Sequence, residues 1–245
     1  GSMLFGLRAV LLFWLLAPPV WLLTVLMPSP AAAWALCHRA ARTLLRGAGV
    51  AVAVHGLEHW PSDPPCVLVC NHGSYLDGVA LVAALPRPCA FVAKQELSVQ
   101  FVAGRFLRAL GAVFVERFDA RRSVTDSKQL AQAARAERPL LVFPEGTFRR
   151  DPTPLPFHLG AFMAAAQAVL PVLPLALAGT LEVLPDGRWW PRRAALTLHV
   201  EPPIEPTPAS PAEGPEATDA LHAAVAMRDA ARSAILRRLG VTTEA

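Results

Sequence analysis

The fold of this 245-residue chain is decided by the stretch Cys66-Val67-Leu68-Val69-Cys70-Asn71-His72-Gly73-Ser74-Tyr75-Leu76-Asp77. Its first five residues are apolar and typical of a buried strand, and a polar Asn-His-Gly-Ser turn follows them. A second apolar run, Val79 to Leu85, comes next and predicts a helix. In an open α/β sheet such strand-to-helix junctions lie at the carboxyl edge of the strands, where ligands bind. His72 and Asp77 are therefore candidate catalytic residues.

On both sides of this junction the chain alternates between strand-like and helix-like patterns. Apolar strand-like runs occur at 50–55, 66–70, 89–93, 112–117, 139–143, 172–178 and 195–200. Helical patterns lie at 79–85, 101–110, 122–137 and 159–169, and a C-terminal helix is predicted at about 218–239. The alternation predicts an α/β domain at residues 49–245, with a largely parallel sheet that carries helices on both faces. Residues 201–215 are rich in Pro, Ala and Glu, which indicates a linker or edge loop.

Residues 3–48 precede this domain and are predicted to be membrane-anchoring helices. No Asp, Glu, Lys or Arg occurs between Ala9 and Cys37. Pro18-Pro19 is expected to interrupt the apolar stretch, because proline removes a backbone donor and kinks or ends a helix. Each piece is then shorter than the roughly 20 residues that span a bilayer.

A basic helix is predicted directly after the apolar stretch, from Pro30 to Arg46. Its Arg39, Arg42 and Arg46 recur at spacings of three and four and so share one face. An apolar segment with a basic stripe predicts a monotopic anchor in the cytoplasmic leaflet. A single kinked spanning helix is an alternative, because proline is tolerated in membrane helices. A secretory signal is less favoured, because the apolar region exceeds the typical signal core of about 7–15 residues.

The composition narrows the classes of function. Hydrophobic residues make up 53% of the chain and charged residues only 17%, with a net charge of +4. No basic patch interleaved with aromatic residues is present, so nucleic acid is not expected as a partner. The four cysteines form no Cys-x-x-Cys pair and have no His at zinc spacing. They predict free, buried thiols in a reducing compartment and no metal site.

The His72 and Asp77 pair has a catalytic and a structural interpretation. A neutral His accepts a proton near pH 7, and a carboxylate on its other ring nitrogen fixes the tautomer and stabilises the imidazolium. Ser74 and Asp77 also resemble a capping box, in which Asp77 would only cap a helix. A serine-hydrolase role for Ser74 is weaker, because the Gly-x-Ser-x-Gly elbow is missing.

Two more predicted strands end in functional candidates. Arg117 follows one of them, and it is either a surface ion-pair partner or an anion clamp, since Arg suits phosphate. Glu145-Gly146-Thr147 follows another, within the stretch Phe143-Pro144-Glu145-Gly146-Thr147. Gly146 allows a close backbone approach, and the carboxylate of Glu145 can bind hydroxyls. If these strands are neighbours in one sheet, their ends converge on one edge.

Together these stretches resemble the glycerolipid acyltransferase superfamily, bacterial lysophosphatidic-acid acyltransferases in particular. The similar segments come in the family's order over about residues 50–204: 71–77 with His and Asp, 94–97, 111–117 with its terminal Arg, 143–147, and the proline-containing 170–175.

The resemblance implies transfer of a fatty acyl group from acyl-CoA or acyl carrier protein to the hydroxyl of a lysophospholipid, foremost lysophosphatidic acid to phosphatidic acid. It implies direct attack without an acyl-enzyme and without metal or other cofactor, with His72 as general base and Asp77 holding it. It further implies a membrane-bound enzyme on the cytoplasmic face of the inner membrane, whose partners are membrane lipids, the lysolipid and the thioester donor. The residues expected to bind substrate are Asn71, Ser74, Lys94, Arg117, Glu145, Gly146, Thr147 and Arg149.

One departure from the family's pattern concerns the acceptor. Many phosphatidic-acid-forming members have Arg directly after Glu-Gly-Thr, whereas this chain has Phe148. Either Arg149 serves instead, or the acceptor lacks a glycerol phosphate, as a lyso-ornithine lipid does. Two other classes stay open: a catalytically silent lipid-binding protein of the same fold, and a metal-dependent phosphoester hydrolase. The hydrolase is disfavoured because the sequence lacks further clustered His and carboxylate residues.

Overall fold

The computed structural model describes residues 2–61, 65–116, 123–136, 138–147, 154–185, 187–206 and 216–241. The strands in these ranges are β1 (Val52–His55), β2 (Val67–Cys70), β3 (Ala90–Lys94), β4 (Val113–Val115), β5 (Leu140–Val142), β6 (Val172–Ala178) and β7 (Leu196–Val200). The helices are α1 (Ser2–Leu26), α2 (Pro30–Ala48), α3 (Leu76–Ala84), α4 (Gln95–Ser98), α5 (Phe101–Ala109), α6 (Ser123–Ala134), α7 (Gly160–Ala168), α8 (Thr180–Val183) and α9 (Glu216–Leu239). A short 3-10 helix lies at Leu57–His59.

The strands form one sheet in the order β1-β7-β6-β2-β5-β3-β4. All neighbouring pairs are parallel except β6 and β7, which are antiparallel. β2 occupies the centre, with Val67 opposite Leu140 of β5 on one side and opposite Val172 of β6 on the other. The predicted α/β fold with a largely parallel sheet is confirmed.

Helices cover both faces of the sheet, which explains why its central strands are apolar throughout. Side chains alternate along β2, so that Leu68 and Cys70 join one core and Val67 and Val69 the other. The first core is completed by helices α2, α3 and α5, and the second by α6, α7 and α9. α1 and α2 thus lie on one face, and the C-terminal helix lies on the opposite face.

The predicted break at Pro18-Pro19 is wrong, because α1 runs without interruption from Ser2 to Leu26 with both prolines inside. A proline φ is itself close to helical, so the two prolines can stand inside a helix, although they remove donors and crowd the preceding turn. Contacts on both sides of the prolines hold the helix. Arg8 Nη2 donates to the Ala48 carbonyl over 2.6 Å, and Thr24 Oγ1 lies 3.3 Å from Cys37 Sγ.

α1 is the one helix of the described chain that is long and apolar enough to cross a membrane, from Met3 to Leu26. Only 6% of its most apolar window is buried against the rest of the protein. The prediction of an apolar N-terminal segment is therefore confirmed, although the segment is one helix and not two pieces.

Candidate active site

The turn between β2 and α3 brings His72 onto Asp77. His72 Nδ1 lies 2.8 Å from Asp77 Oδ2, and the Asp77 side chain is 1% exposed against 20% for His72. The same carboxylate oxygen accepts hydrogen bonds from the backbone N–H of Gly73 at 2.8 Å and of Ser74 at 2.9 Å. Since a carboxylate only accepts, His72 Nδ1 carries the proton, and in the neutral ring Nε2 holds the lone pair.

Asp77 therefore caps the turn and orients the histidine at the same time. The bond from the Ser74 N–H is the carboxylate half of a capping box. Ser74 Oγ does not complete that box: it accepts from the Leu76 N–H at 3.1 Å and donates to the Leu184 carbonyl at 2.7 Å. Asp77 Oδ1 is buried and has no hydrogen-bond partner in the described part of the chain.

β5 lies beside β2, and the turn that follows β5 contacts the backbone of His72. Glu145 is buried; its Oε1 accepts from the His72 N–H at 2.8 Å and its Oε2 from the Leu155 N–H at 2.7 Å. Burial raises the pKa of the Glu145 carboxyl, and the two backbone N–H groups oppose that shift. Gly146 adopts the left-handed conformation at φ 67°, which lets the turn close behind the carboxylate. Both carboxylate oxygens are engaged by backbone, so Glu145 holds the His72 turn in place.

Phe143 is a site residue that sequence reasoning did not single out. Its ring lies parallel to the imidazole of His72, with 4.1 Å between the ring centroids and 18° between the planes. The stacked ring covers one face of the imidazole. The available signal was its position at the end of β5, directly before Pro144 and Glu145.

Asn71, predicted to bind substrate, braces two central strands. Its Nδ2 donates to the Leu177 carbonyl and its Oδ1 accepts from the Leu177 N–H, both at 2.8 Å. The Asn71 amide thus takes the place of a backbone partner where β2 ends and β6 continues. The bond fixes the start of the turn that carries His72.

Of the other residues predicted to bind substrate, the structure describes Lys94 and Thr147. Lys94 is exposed at the end of β3, two strands away from β2, and Thr147 is exposed after Gly146. Arg117, Arg149 and the departing residue Phe148 lie outside the described residues. The substrate contacts of all of these residues stay predictions.

The described residues contain no group of three or more His, Cys, Asp or Glu side chains that could hold a metal ion. The four cysteines are free and buried, as predicted. Burial raises the pKa of Cys66 to about 12, so its thiol is not a nucleophile near neutral pH.

The sequence matches a known protein family and two groups of characterised relatives. Residues 51–178 match the family model described as Acyltransferase, a span that includes β1 to β6 and the entire His72 turn. The chain is 37% identical over 135 residues to 1-acyl-sn-glycerol-3-phosphate acyltransferase BAT2 of Brassica napus, covering 55% of this chain and 39% of that protein. It is 35% identical over 130 residues to the human alpha enzyme of the same name, covering 53% and 46% of the two chains. The chain thus spans less than half the length of these relatives.

A solved structure shares the architecture over nearly the whole chain. The crystal structure of the 1-acyl-sn-glycerophosphate acyltransferase PlsC from Thermotoga maritima superposes with a TM-score of 0.73. The match covers 98% of this chain and 95% of that one, at 23% sequence identity. At that identity the likeness concerns the fold, including the helices that precede the sheet.

Proposed function

This chain belongs to the acyltransferase family, and from that premise we propose that it moves a fatty acyl group from a thioester donor to the free hydroxyl of a lysophospholipid. The donor is acyl-CoA or acyl carrier protein, and lysophosphatidic acid is the leading acceptor. The observation that carries the proposal is the hydrogen bond between His72 Nδ1 and Asp77 Oδ2 at the carboxyl edge of the sheet.

In the proposed reaction, His72 Nε2 accepts the proton of the acceptor hydroxyl while the hydroxyl oxygen attacks the thioester carbonyl. The tetrahedral intermediate then expels the thiolate, which takes the proton back from the imidazolium. No acyl-enzyme is needed, because the attacking oxygen belongs to the acceptor. The Asp77 carboxylate stabilises the imidazolium between these steps, and general-base help of this kind contributes about 10²–10⁴-fold to the rate.

Three neighbouring side chains hold the base in position. Glu145 and Asn71 fix the backbone on which His72 stands, and Phe143 fixes the plane of its ring. A base held in this way loses no energy in reorganisation when the proton moves, which is the advantage of a preorganised site.

For the acceptor, support comes from the relatives, which are named for acylation of 1-acyl-sn-glycerol-3-phosphate. Phe148 departs from the arginine common at that position and favours a second candidate, a lysolipid without a glycerol phosphate, such as a lyso-ornithine lipid. The two acceptors differ in charge, so the anion clamp expected at Arg117 and Arg149 would serve only the phosphate.

We place the enzyme on the cytoplasmic leaflet, with α1 lying along the domain. Near one end of α1, Gly6 packs directly on the Trp190 indole and leaves no room for a Cβ. Near the other end, Trp21 Nε1 donates to the Val102 carbonyl at 2.9 Å. These contacts are 15 residues apart, about 22 Å along a helix. A helix held to the domain over that length supports an in-plane anchor over a perpendicular span.

The test is a matrix of acceptors against donors with purified protein, with the lipid products identified by mass spectrometry. We expect phosphatidic acid from lysophosphatidic acid with at least one donor, loss of product in His72→Ala, and full activity in chelator. Turnover retained in His72→Ala would overturn the assignment of the base. An absence of turnover across all acceptors and both donors would instead support a silent lipid-binding protein.

A further inference from the structure

A short apolar tip lies at the junction of α4 and α5. Val99, Phe101 and Val102 are 84%, 66% and 61% exposed, and we call these three side chains the α4–α5 tip. Single exposed hydrophobic residues are ordinary, but three within four positions of a turn form a patch. All three side chains keep most of their surface exposed, although Trp21 of α1 stacks on Phe101.

The tip is continuous with the exposed face of α1. The Trp21 indole stacks on Phe101, with 6.1 Å between the ring centroids and 26° between the planes. Its Nε1 donates to the Val102 carbonyl, which joins the two helices directly. Beyond Trp21 on α1, Leu22 and Leu26 are exposed as well. Tip and helix therefore present one apolar surface on the same side of the molecule.

A basic side chain borders the tip, and others are exposed on the helix that packs against α1. The Arg105 guanidinium lies 3.8 Å from the centroid of the Phe101 ring, on the first turns of α5. Arg39, Arg42 and Arg46 are exposed on α2, which packs against α1. The charged residues on the short segment before the tip are Lys94 and Glu96, one of each sign. Apolar rings beside cations fit the boundary between acyl chains and anionic headgroups.

We propose that the α4–α5 tip enters an anionic lipid leaflet beside α1, as a second point of membrane contact. The occupant of the tip is the lipid surface itself, because the tip extends the apolar face of α1 and is edged by arginine. β3 ends at Lys94 and leads directly into α4. A tip inserted into lipid therefore holds the carboxyl edge of the sheet close to the lipid headgroups. This rests on the proposed function, because the second contact orients the catalytic edge of a lysolipid acyltransferase toward the leaflet that holds its acceptor.

Insertion of the tip is measured by a label at Val99. The four native cysteines are buried, so an environment-sensitive fluorophore can be attached selectively to Val99→Cys. The matched control is Leu221→Cys, an exposed apolar position on α9 across the sheet from α1. On vesicles of phosphatidylglycerol and phosphatidylcholine, the Val99 label should shift to the blue and be quenched by spin-labelled lipid, whereas the Leu221 label should do neither. A Val99 label that stays in water on vesicle-bound protein overturns the proposal.

The contribution of the tip to membrane binding is measured with Phe101→Ser, and Leu221→Ser is the control. Removing one partly buried aromatic ring from a lipid surface should weaken vesicle partitioning about tenfold, measured at limiting lipid. Unchanged partitioning of Phe101→Ser contradicts the proposal. If Phe101→Ser instead converts a dimer to a monomer while partitioning is unchanged, the tip binds a second copy of this chain and not lipid.

The consequence for catalysis is tested with two forms of one acceptor. Phe101→Ser should raise KM about tenfold for a long-chain lysolipid in vesicles and leave turnover of a short-chain soluble lysolipid unchanged. An equal loss with both forms contradicts delivery through the leaflet. If the wild type turns over neither form, the proposed function fails, while the Val99 label still decides whether the tip enters lipid.

Discussion

Replacement of Asp77 by Asn separates the catalytic role of this carboxylate from its role as a cap. Asp77 Oδ2 accepts three hydrogen bonds, from His72 Nδ1 and from the backbone N–H groups of Gly73 and Ser74. The amide oxygen of Asn can occupy the Oδ2 position and keep the two backbone bonds. The amide NH₂ then falls where Oδ1 stands, an atom that has no partner in the described chain. The turn should therefore keep its shape.

What Asn removes is the negative charge that faces the imidazolium. Since general-base catalysis contributes about 10²–10⁴-fold, we expect kcat of Asp77→Asn to fall by most of that factor. Neutral hydrogen bonds contribute about 1 kcal/mol less than bonds to a charged group, so the weakening of these three bonds lowers the free energy of unfolding by about 3 kcal/mol. The Asn NH₂ without an acceptor at the Oδ1 position costs a further amount of about 1–3 kcal/mol. The smaller cost of burying a neutral side chain offsets part of this loss.

Asp77→Ala is the matched comparison, because it leaves the Gly73 and Ser74 N–H groups without an acceptor. Each buried unsatisfied donor group costs about 1–3 kcal/mol; Ala leaves two backbone N–H groups unpaired, whereas Asn leaves its own NH₂ unpaired at the Oδ1 position. Ala should therefore be less stable than Asn by roughly 1–3 kcal/mol, while kcat falls in both variants. The measurements are steady-state kcat and urea unfolding followed by circular dichroism. An Asp77→Asn variant with kcat close to that of the wild type would show that Asp77 only caps the helix.

Three further outcomes are expected. Asn71→Ala leaves both backbone groups of Leu177 unpaired and should lower the free energy of unfolding by about 2–4 kcal/mol in urea titration, whereas a variant as stable as the wild type would contradict the bracing role. Phe143→Leu should lower kcat by about two- to tenfold with KM unchanged, since aromatic stacking is worth about 0.5–1.5 kcal/mol, and Phe143→Tyr should restore it. Burial lowers the pKa of His199 below its ordinary 6.5, so the stability it contributes is present above that value and is lost as the pH falls through the lowered pKa. His199→Thr should therefore flatten the dependence of unfolding free energy on pH between about pH 7 and 5, and an unchanged slope would contradict this.

The bounds of the strands could be predicted from the sequence to within one or two residues. Predicted strands at 66–70, 89–93 and 172–178 compare with Val67–Cys70, Ala90–Lys94 and Val172–Ala178 in the structure. Each is an apolar run closed by proline, glycine or a polar turn, so the local signal is strong. The short helices α4 and α8 were missed, because four residues are too few to show a helical period.

The order of the strands and the contacts that hold the site residues in place could not be predicted from the sequence. Nothing local to β1 indicates that it pairs with β7, more than 140 residues later. The bond from Asn71 to Leu177 likewise joins residues 106 positions apart, and Glu145 reaches the His72 N–H across 73. The sequence could therefore nominate the residues of the site, while their division into one acid–base pair and its braces needed the tertiary structure.

The wrong prediction of a break in α1 also has its cause in contacts between distant residues. Pro18-Pro19 predicts a break from local chemistry alone, but contacts on both sides of the prolines hold the helix. Tertiary contacts overrode a local preference, as they often do.

The dependence of α1 on distant partners has a consequence for biosynthesis. The residues that flank it on the domain, Val102 on α5 and Trp190 before β7, are translated long after Leu26. At about 5–20 residues per second, the interval before Trp190 is made is roughly ten to thirty seconds. Until then the nascent α1 can pack on α2, which follows it directly in the chain, while the face that meets Val102 and Trp190 stays uncovered. The packing of α1 on the domain is therefore completed late, after strands β1 to β6 have been translated.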